Sequence, residues 1–334
     1  MFIGPQTEII MKICIVGAGA IGGWLGVRLA LAGHAVSVLA RGATLTAIQA
    51  QGLRLQTNGQ THAVPVQASD SAAELGTQDL LIIAVKAPSL LGVARQITPL
   101  IGSDTQVLSA MNGVPWWFFQ GFGGTYSGTV LQAVDAGGEI AGLIPARQVL
   151  GGVVHASCTA PEPGLVVHGF GQGLIVGEPS GGESARVQAL ALMLRDAGFD
   201  ASVSPQIQRD VWFKLWGNLT MNPVGALTGA NIAQTLADPL VRAFCSAVML
   251  EAREIGARLG IPIEQSPDDR HAVTLKLGAF KTSMLQDVQN NKPIELDALV
   301  GAVRELGTLT GVTTPQTDVL LGLTRLMAQV RGLY

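Results

Sequence analysis

The stretch Gly17-Ala18-Gly19-Ala20-Ile21-Gly22 limits the fold of this chain more than any other feature, because of what stands on either side of it. Before it, Lys12 to Val16 (KICIV) is a short β-branched run; after it, Ile21 to Ala32 (IGGWLGVRLALA) repeats apolar residues at helical spacing until Gly33 stops it. Ala35 to Leu39 (AVSVL) then reads as a second strand. Strand, glycine turn, helix and strand in that order make a right-handed βαβ unit, the start of a doubly wound parallel sheet. In such a unit Gly17 permits the tight turn, Gly19 lets the backbone approach a pyrophosphate, and Gly22 lets helix and strand pack closely. A phosphate would lie where the free N–H groups and the dipole of the helix point.

The rest of the sheet is read from Asp79 to Val85, Gln106 to Ala110 and Gly151 to Ala156, with Leu165 to Gly169 and Gly173 to Gly177 expected as a closing hairpin. From about Glu183 helical patterns take over: Ser184 to Ala197, Ile207 to Asn222, Asp238 to Leu259, Ser266 to Gln289, Ile294 to Thr310 and Thr317 to Val330. The expectation is an α/β, Rossmann-type doubly wound sheet domain over residues 11–205, followed by an all-helical C-terminal domain over 206–334. Residues 1–10 (MFIGPQTEII) read as a short extension without the basic and apolar regions of a leader.

A mean hydropathy of +0.38 with only 13% charged residues raises the question of membrane spans. The two longest uncharged stretches, Thr105 to Val134 and Leu215 to Ala237, are broken by Asn112, Pro115, Asn218, Asn222 and Pro223, so neither reads as a lipid-facing helix. A net charge of −3 gives no field to attract nucleic acid or anionic lipid. Cys14, Cys158 and Cys245 have no metal-ligand spacing and sit among apolar neighbours, which reads as reduced cysteines in a cytoplasmic protein without a metal site.

At the end of the second strand, an NAD-preferring site would offer an acidic residue to the ribose hydroxyls. Here Ala40-Arg41-Gly42 stands instead, and a guanidinium suits a 2′-phosphate, so NADP(H) is favoured over NAD(H); the alternative is that Arg41 is a solvated loop residue. Lys86 and Asn112 follow two further strands, at the edge where an open α/β sheet binds ligand, although both also fit a solvated lysine and a simple turn. In the helical half Lys214, Asn218 and Asn222 are spaced i, i+4, i+8 on one face, with Trp212, Phe213, Leu215 and Trp216 around the lysine. A lysine kept dry by such groups loses basicity and suits a proton donor; the competing reading is a snorkelling lysine beside bridging amides. Ser283 and Glu295 fit a donor to a carboxylate and an acceptor from a hydroxyl, or else a surface hydroxyl and a first-turn acid.

Taken in order, KICIVGAGAIG, VKA at Lys86, NG at Asn112, KLxxNxxxNP from Lys214 to Pro223, SMLQD from Ser283 and PIELD at Glu295 resemble the ketopantoate reductase (2-dehydropantoate 2-reductase) family from Met11 to about Leu326. The resemblance implies NADPH-dependent reduction of 2-dehydropantoate to (R)-pantoate. It implies that Gly17, Ala18, Gly19, Ala20, Ile21 and Gly22 cradle the pyrophosphate, that Arg41 meets the 2′-phosphate, and that Lys86, Asn112 and Ser157 contact cofactor. Lys214 would be the general acid, Asn112, Asn218, Asn222 and Ser283 would hold substrate, and Glu295 would stand where cofactor and substrate meet. Two positions depart from the family pattern near the substrate: Phe280 replaces an expected polar amide, and Val300-Gly301 stands where Asn-Gly is expected. The alternatives are a reductase of another branched 2-oxo acid and a nonenzymatic NADPH-binding sensor. The apolar helical half also suggests a homodimer.

Overall fold

The computed structural model describes residues 10–334, so nearly all of the expected 1–10 extension lies outside the described residues. The chain opens as the glycine motif requires, with β1 (Lys12–Val16), α1 (Ala20–Leu31) and β2 (Ala35–Leu39), the two strands parallel. α2 (Gly42–Gln51), the antiparallel pair β3 (Leu53–Thr57) and β4 (Gln60–Val64), β5 (Gln67–Ser69) and α3 (Ala72–Leu75) lead to β6 (Leu80–Ile83). Then come α4 (Leu90–Gln96), β7 (Gln106–Ser109), α5 (Glu139–Leu143), the long strands β8 (Val149–Glu162) and β9 (Leu165–Gly177), α6 (Ala185–Asp196) and β10 (Asp200–Val203).

All ten strands lie in one sheet of order β4-β3-β9-β8-β7-β6-β1-β2-β5, with β10 beside β9. β1 is flanked by β2 and β6, both parallel to it, so successive connections leave it in opposite directions and open a crevice beyond its carboxyl end. The first half of β9 bonds to β3 and its second half to β10, which curls the sheet so that β3, β4 and β9 pack against α1. The expected hairpin between Leu165–Gly169 and Gly173–Gly177 does not exist. Those residues are one continuous strand, and the hairpin is β8–β9, turning at Pro163-Gly164. The glycines that read as a turn serve close strand contact: a Cβ on Gly171 would lie 2.5 Å from the His155 carbonyl oxygen.

The helical half comprises α7 (Ile207–Thr228), α8 (Ile232–Ala237), α9 (Pro239–Arg258), α10 (Pro267–Leu275), α11 (Ser283–Gln289), one π-helical turn (Asp297–Gly301), α12 (Ala302–Thr310) and α13 (Pro315–Val330). The helix expected over Ser266 to Gln289 is therefore two, parted where Gly278 adopts a φ of +62° and where Thr282 accepts the Leu285 N–H as the cap of a new start. α7 runs past the expected Asn222. Pro223 lies inside it, removing the donor that would reach the Leu219 carbonyl.

Along β1 the side chains alternate between two cores, as pleating demands. Ile13 and Ile15 join α1, α6 and the curled strands, whereas Cys14 and Val16 join a core that continues through Trp116–Phe119 into α7, α9, α12 and α13. The sheet and the helices thus share apolar packing, and no boundary interrupts it. Trp212, Trp216 and Leu219 of α7 are among its buried members, each worth about 1.5–3 kcal/mol. Packing of this weight holds α7 against the sheet and fixes the position of every polar group on its remaining face.

Candidate functional site

A cavity of about 530 Å³ opens where the strand order reverses. Val16, Gly17, Ala18 and Gly19 form its floor, Leu39, Ala40, Arg41 and Thr44 one wall, and the β8–β9 turn another. Gly17 has φ +94°, and a Cβ there would lie 2.6 Å from Val85 Cγ1; a Cβ on Gly22 would lie 2.0 Å from the Gly17 carbonyl oxygen. By contrast nothing lies within 4 Å of where a Cβ on Gly19 would be. Two glycines are therefore required by packing, and the third leaves open space at the first turn of α1. Ala20, Ile21 and Gly22 form that turn, which carries no acidic residue and has no side-chain cap, so its N–H groups remain available to an anion. The one carboxylate on the wall, Glu162, is paired with Arg54 at 3.1 Å, and none stands at the end of β2. The cavity suits a dinucleotide and leaves Arg41 free to meet further negative charge. Lys292, which the sequence did not single out, overhangs it from the helical half.

The second group gathers around Lys214. Its Nζ donates to Asn112 Oδ1 at 2.8 Å and to the Val154 carbonyl oxygen at 2.7 Å. Burial lowers the Lys214 pKa to about 8, and the charge of Glu295 opposes that fall. Glu295 is itself buried and its Oε1 accepts the Ala87 N–H at 3.0 Å; burial pushes its carboxyl above the usual range. Asn112 is set by its neighbour: Gly113 has φ +82° and a Cβ there would lie 2.6 Å from the Ala298 carbonyl, to which Val114 also donates at 2.8 Å. The loop after β7 is thus clamped to the π-helical turn beside Glu295, a kind of helical irregularity often found at functional sites.

Asn218 is half-buried and Asn222 buried on the Lys214 face of α7, and among the described residues neither side-chain amide makes a hydrogen bond. Amides left open beside a dry ammonium are a ready pair of ligand contacts. Lys86 forms an ion pair with Asp287, whose carboxyl burial raises, so the lysine bridges the sheet to α11. Ser283 starts α11 and is exposed, its neighbour Thr282 taking the capping role. Ser157 lies on β8 opposite Phe170, where the register with β9 shifts, and is not among the residues lining the cavity. The two departures separate: Val300 is fully buried in the core, whereas Phe280 meets Phe170 edge to face at 5.8 Å across the cleft. The sequence marks no role for Asp287, which it shows only as the end of SMLQD, for Lys292 or for the Val154 carbonyl, the last because a backbone acceptor has no sequence signal.

Among the described residues no group of three or more His, Cys, Asp and Glu side chains is placed to hold a metal ion, and no helix is long and apolar enough to cross a membrane.

Residues 13–181 match the family described as "Ketopantoate reductase PanE/ApbA", and residues 206–328 its C-terminal part. A 2-dehydropantoate 2-reductase from Mesorhizobium japonicum is 47% identical over 325 residues, which span 97% of this chain and all of that protein. Among solved structures, a chain from Ralstonia solanacearum MolK2 with a provisional ketopantoate reductase name is 60% identical, covers 98% of this chain and 100% of its own, and superposes with a TM-score of 0.95. The 2-dehydropantoate 2-reductase of Geobacter metallireducens GS-15 is 27% identical with a TM-score of 0.83, covering 95% of this chain and 99% of that one. The chain belongs to the ketopantoate reductase family, a family of oxidoreductases acting on a CH–OH group.

Proposed function

We propose that the chain reduces 2-dehydropantoate to (R)-pantoate with NADPH, and that Lys214 supplies the proton. The observation that carries this reading is the Lys214 ammonium, held dry between Asn112 and the Val154 carbonyl with a pKa lowered to about 8. Such a group is still protonated at neutral pH and gives up its proton readily, as a general acid should. Asn112, contributed by the sheet, and Lys214, contributed by α7, are 102 positions apart, and their hydrogen bond sets the distance between the two walls of the pocket.

Gly17, Ala18 and Gly19 with the first turn of α1 would hold the pyrophosphate, and Arg41 the 2′-phosphate that distinguishes NADPH from NADH. When bound, the cofactor supplies a hydride to the 2-oxo carbon. Lys214 donates a hydrogen bond to the 2-oxo oxygen, stabilises the negative charge growing there, and passes it one proton as the C–O bond becomes a hydroxyl. The lysine is left as a neutral amine, and the Glu295 carboxylate favours its reprotonation. Asn218 and Asn222 would offer donors and acceptors to the remaining polar groups of the substrate, and Ser283 a hydroxyl at the edge of the cleft. Lys86, tied to Asp287, would line the cofactor side.

An exposed apolar stripe, Val319, Leu323, Leu326 and Val330 on α13, supports a homodimer, and the three unpaired cysteines fit a cytoplasmic setting. Purified protein mixed with NADPH and 2-dehydropantoate should consume the nicotinamide absorbance in step with pantoate formed. Tight NADPH binding without turnover would sink this reading.

A further inference from the structure

Arg270 lies one helix away from the proposed proton donor. On α10, its guanidinium carbon lies over the Phe213 ring at 4.9 Å from the centroid. It also rests on Gly217, where a Cβ would come within 2.6 Å of one terminal nitrogen and 2.8 Å of Nε. Phe213 and Gly217 flank Lys214 on α7, immediately before it and one turn after it, so the guanidinium packs on the residues either side of the lysine. His155, next in chain to the Val154 carbonyl that holds Lys214, has its pKa lowered by desolvation and then by the charges of both Lys214 and Arg270.

Among the described residues this guanidinium makes no hydrogen bond or ion pair, and its Nε is buried without a partner. The carboxylates nearest in the chain are engaged elsewhere: Asp268 with Arg242 at 2.7 Å, and Asp269 with Ser266 at 2.7 Å in the cap of α10. Burying the Nε of a guanidinium without a partner is costly, yet the residue types around it make room for it. A missing side chain at position 217 and an aromatic face at 213 hold the planar group still while its hydrogen-bonding edge stays unused. A 2-oxo acid brings a carboxylate on the atom next to the keto carbon, and a fixed guanidinium fork matches a carboxylate in two parallel hydrogen bonds.

We propose that Arg270 is the anchor for the substrate carboxylate, orienting the 2-oxo acid so that its keto oxygen faces Lys214. This rests on the reading of the chain as a 2-oxo acid reductase, and it gives the carboxylate a firmer partner than the exposed hydroxyl of Ser283. Gly217 is then a specificity element, since any side chain there displaces the guanidinium.

The test is calorimetric binding of 2-dehydropantoate to the protein loaded with NADP⁺, which cannot turn over, for wild type, Arg270→Gln and Arg270→Lys. Losing a charge-assisted pair should weaken binding at least about tenfold in Arg270→Gln, with Arg270→Lys recovering part of it and NADP⁺ affinity unchanged. In steady state with NADPH, KM for the acid should rise in Arg270→Gln far more than kcat falls, while the uncharged methyl ester is reduced equally by both proteins. Equal affinity for the acid, or equal losses for acid and ester, overturns the assignment. Wild-type protein that binds the acid but never reduces it would overturn the reading of the reaction and leave Arg270 to the binding result.

Discussion

The two ends of the cleft are built on opposite plans. At the cavity beyond β1 the sheet removes side chains: Gly17 is demanded by its positive φ and the Val85 side chain, Gly22 by the Gly17 carbonyl, and Gly19 leaves open space. At the Lys214 pocket the helices bring charged side chains in and partly desolvate them, so that burial shifts the pKa of a lysine, a glutamate and an arginine alike. The first plan suits a ligand held by backbone N–H groups and is compatible with many chemistries. The second tunes acidity and is specific to one reaction type. Loss of a group at one end should therefore leave the other nearly untouched, and variants can break or sharpen that contrast.

The largest effect should come from Lys214→Ala, which removes the proposed proton donor: kcat should fall at least about a hundredfold while Kd for NADPH, read by fluorescence titration, stays near that of wild type. A mutant that loses both together would show that the two ends are not separable. Next, Arg41→Ala should weaken NADPH binding about tenfold or more and NADH binding hardly at all, with kcat at saturation retained. Equal losses for both cofactors would remove Arg41 from the 2′-phosphate. Glu295→Gln keeps an oxygen for the Ala87 N–H but removes the charge that raises the Lys214 pKa. Its alkaline loss of activity should accordingly begin at lower pH than in wild type, seen as a several-fold deficit above neutrality and a smaller one below. The smallest effect belongs to Gly217→Ala, whose methyl must push the Arg270 guanidinium aside: KM for the acid should rise a few-fold while Kd for NADPH is unchanged.

The contrast also explains what could be read from the residues alone. β1, α1, β2 and the glycine turn are specified within one local stretch by strand and helix periodicity, so this end of the fold is legible in the sequence. β3, β4 and β10 are not, because LRLQT, QTHAV and DASV are short and largely polar; β3 and β10 are held by β9, far from β3 in the chain, and β4 by β3. β9 reads as two strands, since its glycines carry the mark of a turn while serving contact with β8. On the helical side, spacing was enough to place Lys214, Asn218 and Asn222 on one face. It said nothing of Asn112 or the Val154 carbonyl as partners of Lys214, since only the fold brings β7, β8 and α7 together. Arg270 was invisible for the same reason: its significance lies in lacking a partner, and sequence shows neither partners nor their absence.

The central claim is that Lys214 is an acid whose burial sets its working range, and the pH dependence of kcat for NADPH-driven reduction of 2-dehydropantoate tests it most directly. A protonated lysine is required, so the rate should be full below the pKa and fall as pH rises through about 8. A rate that stays level through pH 10, near the pKa of an ordinary lysine at about 10.4, would contradict it.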